Sequence, residues 1–157
     1  MAKTGRPLSF DRDKALEQAM LTFWRHGYET SSISDLTAAM GITAPSLYTA
    51  YGDKKQLFLE AMRLYSGSSY DMEQAFAEAP TARDAAQHML VAAAQAFTGA
   101  LTPRGCLLAS ATASGSDASA DVQHEVAEVR RQIQERLQKR IERDLAQGRL
   151  PAETDSR

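Results

Sequence analysis

The sequence predicts an all-α protein. Apolar residues recur at steps of three and four in successive stretches between Arg12 and Gln147. Cap-forming residues stand at the heads of these stretches and glycines at their ends. The length of 157 residues suits one or two compact domains. With 43 % apolar and 24 % charged residues, the chain has the balance of a folded protein rather than a disordered one. Its 18 Lys and Arg against 20 Asp and Glu leave a net charge of −2, which excludes a strongly basic coat but not a local basic face. A single cysteine, Cys106, rules out a disulfide framework and a four-cysteine zinc site. His26, His88 and His124 lie far apart, so no metal and no cofactor is expected. The N-terminus lacks the apolar run of a signal peptide, and no window nears 18 uninterrupted apolar residues. A cytoplasmic protein without membrane contact is expected.

Residues 1–10 read as a flexible basic arm carrying Lys3 and Arg6 beside Gly5 and Pro7. From Arg12 onward, Leu16, Ala19, Met20 and Phe23 share one helical face, with Asp11 or Asp13 suited to the first turn and Gly27 as the stop. Tyr28 is placed to fold back on the core. Ser32 with Asp35 three positions on is close to a capping box for a second, short helix with Leu36, Ala39 and Met40 inward. Gly41 ends it, Ile42 plugs the turn, and Thr43 caps a third helix. Pro45 falls in the first turn of that helix, where a missing N–H costs little. Leu47 and Tyr51 then face inward, leaving Ser46, Tyr48 and Thr49 on the other side. Gly52 ends the helix and Asp53 caps a fourth.

Two short helices joined by a tight glycine-containing turn are the layout of a helix-turn-helix. To reach base edges in the major groove, the second helix needs small polar residues in its first turn. Thr43, Ala44, Pro45 and Ser46 meet that need. Tyr48 carries a hydroxyl on a rigid arm, suited to a phosphate or a base edge. Lys54 and Lys55, at the N-terminus of the fourth helix, form a phosphate anchor. The same pattern also fits a capped helical hairpin that touches no DNA. The charge balance, +1 over residues 1–65 and −3 over residues 66–157, has the sign of a DNA-facing head but a small size.

Residues 6–65 resemble the DNA-binding domain of the TetR/AcrR family of bacterial transcriptional repressors. The resemblance is carried by Gly27-Tyr28-Glu29-Thr30-Ser31-Ser32-Ile33, by Gly41-Ile42-Thr43 and by Leu47-Tyr48-Thr49-Ala50-Tyr51-Gly52-Asp53-Lys54-Lys55-Gln56-Leu57-Phe58, in this order and at family spacing. It implies that the third helix reads DNA. Ala44, Pro45, Ser46 and Tyr48 would approach bases or the groove, and Tyr48, Thr49 and Lys54 would hold phosphates. Ser34 would touch the backbone or a flanking base, and Arg6 would reach the minor groove. Ala50 departs from the family, which often has His or another large polar residue there, so Lys55 or the arm gains weight here.

Residues 53–66 read as a fourth helix with Leu57, Phe58, Ala61, Met62, Leu64 and Tyr65 on a wide apolar face, followed by a break at Ser66-Gly67-Ser68-Ser69. Thr81 and Asp84 start another helix, with Ala85, Met89, Leu90, Ala93 and Phe97 as its apolar face. Pro103 to Leu108 opens the next, and Gly-Cys-Leu-Leu here resembles a stretch found in one group of the family. Cys106 reads either as a small buried hydrophobe or, with Arg104 nearby, as a thiol sensor. Asp117 to Gln147 reads as one long helix. Its apolar stripe runs Val122, Val126, Val129, Ile133, Leu137, Ile141 and Leu145, and its opposite face is solvated and salt-bridged.

The expected domains are the arm at 1–10, a helix-turn-helix domain at 11–52 and a helical ligand-sensing and dimerisation domain at 53–157. The resemblance implies two further helices after Arg157, which pair across a two-fold axis in the family. Their absence from this sequence is its largest departure and bears on the expected homodimer, since a monomer would lose half of its DNA contacts. The expected function is a repressor bound to paired half-sites in double-stranded DNA. A small-molecule or thiol-reactive effector would release it, binding among Met62, Tyr65, Met89, Phe97 and Cys106. The alternative is an interaction module of the same fold that has lost specific DNA binding. The sequence shows no nucleophile, base or metal constellation, so an enzyme is not expected.

Overall fold

The computed structural model describes residues 10–67, 74, 76–100, 102–111, 116 and 119–156. Among them all regular structure is helical. The elements are α1 (Arg12–His26), α2 (Ile33–Met40), α3 (Ala44–Tyr51), α4 (Lys54–Tyr65), α5 (Ala82–Thr98), α6 (Leu107–Ser110) and α7 (Ala120–Ala146). A short helical turn at 76–78 precedes α5.

The first four helices start where their caps dictate. The side chains of Asp11, Ser32, Thr43 and Asp53 each accept from the backbone N–H three residues on. At Ser32 the cap is reciprocal, because Asp35 also accepts from the Ser32 N–H. Ser32→Ala is expected to lower stability by about 1 kcal/mol, read from the urea midpoint. Gly41 sits at φ 66° in the left-handed region, and the following Ile42 N–H donates to the Thr37 carbonyl at 3.1 Å. That closure turns the chain sharply into α3, and a side chain at Gly41 would be strained there.

One core joins the head to the body. Phe23, Leu36, Leu47, Leu57 and Phe58 are fully buried, and the same cluster continues through Leu107 of α6 to Val122 and Val126 of α7. Tyr28 folds back as expected, its ring 5.1 Å from Phe58 and 6.2 Å from Phe23. Helix α1 packs against α2, α4 and α6, and α5 packs against α7. A second, smaller core holds Phe76, Ala79 and Ala85 with Met89 and Leu137.

The structure corrects four readings of helix faces, the first being Ala39, which was expected inward on α2 and is exposed. Leu64 and Leu90, expected on inward apolar faces, are 46 % and 65 % exposed. Both border an open cavity, because helical periodicity fixes a face without saying what covers it. Arg140 and Asp144, expected on the solvated face of α7, are buried. Arg140 donates to the carbonyls of Phe76 and Ala79, and Asp144 accepts from the Ala82 N–H at 2.6 Å. Other parts of the α7 charge pattern are solvated ion pairs, as in Arg131 with Glu128 and Glu135. The helix begins at Ala120. Of its expected start and of the earlier break, Asp117, Ser68 and Ser69 lie outside the described residues.

Candidate nucleic-acid interface

Helix α3 is held from behind and open in front. Leu47 is fully buried and Tyr51 nearly so. The Tyr51 hydroxyl donates to the Arg12 carbonyl at 2.8 Å. The Arg12 guanidinium lies 4.5 Å from the Tyr51 ring centroid, bonds Glu60 at 2.7 Å and donates to the Ala50 carbonyl at 3.3 Å. Helix α3 is thus tied to the start of α1 and the middle of α4, which fixes its outer face as a rigid platform.

That outer face carries the predicted residues. Thr43, Pro45, Tyr48 and Thr49 are exposed, Ala44 and Ser46 half-buried, and Ser34 exposed on the first turn of α2. The Thr43 and Ser46 hydroxyls lie 2.9 Å apart, and Thr49 donates to the Pro45 carbonyl at 2.8 Å. These hydroxyls are therefore oriented before any ligand arrives. Tyr48 is 49 % exposed, and its hydroxyl meets no protein partner among the described residues. Arg6 lies outside the described residues.

The two adjacent lysines point to different neighbours. The Lys54 ammonium lies 4.6 Å from the Tyr28 ring centroid and donates to the Glu29 carbonyl at 3.3 Å. Partial burial pulls its pKa below the ordinary lysine value. Lys55 donates to Asp121 in the first turn of α7 at 2.5 Å. That bond raises the lysine pKa and lowers the aspartate pKa.

Behind the head, a cavity of about 950 Å³ lies between α1, α4, α5, α6 and α7. Of the expected effector residues, Tyr65, Met89, Phe97 and Cys106 line it, with Met20 and Trp24 of α1. Met62 does not. It is buried in the core and borders an adjoining groove of about 980 Å³ between α1, α4 and α7, which shares Leu64, Ser66 and Ile133 with the cavity. The Tyr65 hydroxyl donates to Cys106 Sγ at 3.5 Å, and burial pushes the phenol pKa upward. Trp24 Nε1 donates to the Gly105 carbonyl at 2.9 Å and meets Tyr65 edge-on at 4.8 Å between ring centroids. Cys106 is half-buried.

Two family models match this chain. The N-terminal model, described as bacterial regulatory proteins of the tetR family, covers residues 15–61. The second, described as the tetracyclin repressor-like C-terminal domain, covers residues 77–157 and so more than half of the chain. The chain belongs to the TetR family. Among its TetR relatives, the HTH-type transcriptional repressor ComR of Escherichia coli (strain K12) is 40 % identical over 106 residues, which cover 66 % of this chain and 50 % of ComR. The repressor BdcR of the same organism is 36 % identical over 64 residues, 41 % of this chain and 32 % of BdcR. The matched segments thus span half or less of these relatives. A solved TetR structure, a cysteine mutant of the regulator CifR complexed with a 26-bp double-strand operator DNA, superposes with a TM-score of 0.88 at 38 % identity. It covers 97 % of this chain and 80 % of that one.

Sequence reasoning missed Met20 and Trp24 as cavity residues, although their spacing of four on the inner face of α1 carried the signal. It also missed the contacts of Glu29 and Asp121 at the junction of head and body, whose partners lie 87 and 66 residues away in the chain.

Proposed function

We propose that this TetR-family chain is a DNA-binding transcriptional repressor and not an enzyme. It acts in the cytoplasm as a homodimer on paired half-sites of double-stranded DNA. The observation that carries this reading is the rigidly backed α3 with Thr43, Pro45, Tyr48 and Thr49 turned outward behind a capped, glycine-closed turn. Side chains of this size and polarity fit a major groove, and Ser34 and Lys54 flank them for the phosphates. The operator complex of CifR supports the same reading. The division into arm, head at 11–52 and regulatory domain at 53–157 is part of it. Sedimentation with a fluorescent duplex of the upstream intergenic DNA, at two salt concentrations, tests it. Specific, salt-sensitive binding of two or four protomers is the expected result. Weak binding without sequence preference would favour the interaction-module alternative.

The cavity is the effector site in this proposal. Its walls of Met20, Met89, Phe97 and Tyr65 favour an apolar or aromatic small molecule. An effector acts only by preferring the state that does not fit DNA. Cys106 opens on the same space and offers a thiol-reactive compound an attachment point. Alkylation with iodoacetamide is expected to weaken DNA binding of the wild type and to leave Cys106→Ser unaffected, measured by fluorescence anisotropy. Equal affinity before and after complete alkylation, verified by mass spectrometry, would remove the thiol route.

A further inference from the structure

The N-termini of α4 and α7 meet through polar contacts. Lys55 donates to Asp121 Oδ2 at 2.5 Å. Beside it, the backbone N–H and the hydroxyl of Ser116 donate to Glu29 Oε1 at 3.3 and 2.7 Å. The start of α7 and Ser116 are therefore tied to the DNA-binding head at two points. The side chains of Lys55 and Asp121 are 33 % and 58 % exposed, so water already competes for both charges. An exposed pair of this kind is weak, so a phosphate that must displace Asp121 from Lys55 loses no more than about fivefold in affinity.

Lys55 sits in the first turn of α4, next to Lys54 and one turn-and-cap beyond α3. A DNA phosphate at that helix end would offer Lys55 the kind of anionic oxygen that Asp121 now supplies. We propose that Asp121 is an internal competitor for DNA, an autoinhibitory carboxylate that occupies the Lys55 ammonium and withholds one phosphate contact per protomer. The inference rests on the DNA-binding reading above. It also places control of that contact on α7, the helix whose Ile133 lines the effector cavity.

Anisotropy titrations of a fluorescein-labelled duplex of mixed sequence, across a range of salt concentrations, test this without knowledge of the operator. Asp121→Asn is expected to bind about fivefold more tightly at low salt, with the slope of log K against log salt steeper by about 0.9 per protomer. Lys55→Gln is expected to bind more weakly than Asp121→Asn, with the shallower slope, because it has no ammonium to release. The double variant is expected to match Lys55→Gln, which shows that the gain runs through Lys55 and not through removal of a distant negative charge. Thermal melts within a few degrees of the wild type confirm that all variants fold. The inference is overturned if Asp121→Asn keeps the wild-type slope or if the gain persists in the double variant. Wild type and Asp121→Asn both failing to bind would overturn the DNA reading as well. Wild-type binding with an unaltered Asp121→Asn overturns this inference alone.

Discussion

Arg140→Ala is expected to lower the stability of the chain by about 3 kcal/mol, the low end of the range for breaking a buried ion pair, because Arg149 remains 3.8 Å from the Asp144 carboxylate. The side chains of Arg140 and Asp144 are 5 % and 0 % exposed. Arg140 Nε donates to Asp144 Oδ1 at 3.2 Å, and its two terminal nitrogens donate to the carbonyls of Phe76 and Ala79. The other carboxylate oxygen of Asp144 takes the Ala82 N–H at the start of α5. One pair thus closes the carbonyl end of the 76–78 turn and opens α5, joining both to the end of α7. Lysine carries its three donors on one nitrogen and cannot reach acceptors spread around a planar fork, so Arg140→Lys should recover only part of the loss. Urea unfolding of the three proteins measures this, and an Arg140→Ala midpoint within error of the wild type would contradict the assignment. The same pair predicts a pH dependence. The Ala82 N–H bond, and then Arg140, hold the Asp144 carboxyl below its ordinary pKa of 3.8. A depressed folded-state pKa gives stability that is complete above the unfolded value and is lost as pH falls through the folded one. Wild-type stability should therefore decline below about pH 4 with a component that Asp144→Asn lacks.

The head was legible because its instructions are local. Asp11, Ser32, Thr43 and Asp53 each cap a helix through a bond to a residue three positions away, and Gly41 turns the chain with its own φ. The body was less legible because its determinants are distant. Arg140 and Asp144, four apart among other charges, have the spacing of a solvated helix pair, yet the carbonyls and the N–H that bury them lie 61 to 64 residues away. Periodicity likewise placed Met62 and Tyr65 on one broad face of α4, but α4 is packed on more than one side. Residues three apart differ by about 60° around a helix, enough to send Tyr65 to the cavity and Met62 to the core. Met89 and Phe97 of α5 were legible as inward apolar positions, and Cys106 as either a small buried hydrophobe or a sensor thiol. Met20 was read only as part of the inner face of α1 and Trp24 was assigned no role, although one apolar face can border both a core and a cavity.

Tyr48→Ala is expected to weaken binding to the operator by about tenfold or more per half-site, within the 1–3 kcal/mol typical of a specific groove contact. Stability should stay within about 0.5 kcal/mol of the wild type, because the side chain is 49 % exposed and its hydroxyl bonds none of the described residues. Leu47→Ala, one residue away but fully buried, should do the reverse and cost about 2–5 kcal/mol of stability. Tyr48→Phe separates ring from hydroxyl. A neutral hydroxyl displaces no counterion, so its loss should lower affinity while leaving the salt slope unchanged. Lys54→Gln should instead flatten the slope by about 0.9 per protomer. The Lys54 ammonium is half-buried over Tyr28, and its lowered pKa reflects desolvation that an approaching phosphate would offset. In a dimer each effect enters once per half-site, so the free-energy losses double on a paired site. Wild-type affinity in Tyr48→Ala, together with an intact fold, would move the groove contact off the exposed face of α3. An unaltered salt slope in Lys54→Gln would move the phosphate contact off the start of α4.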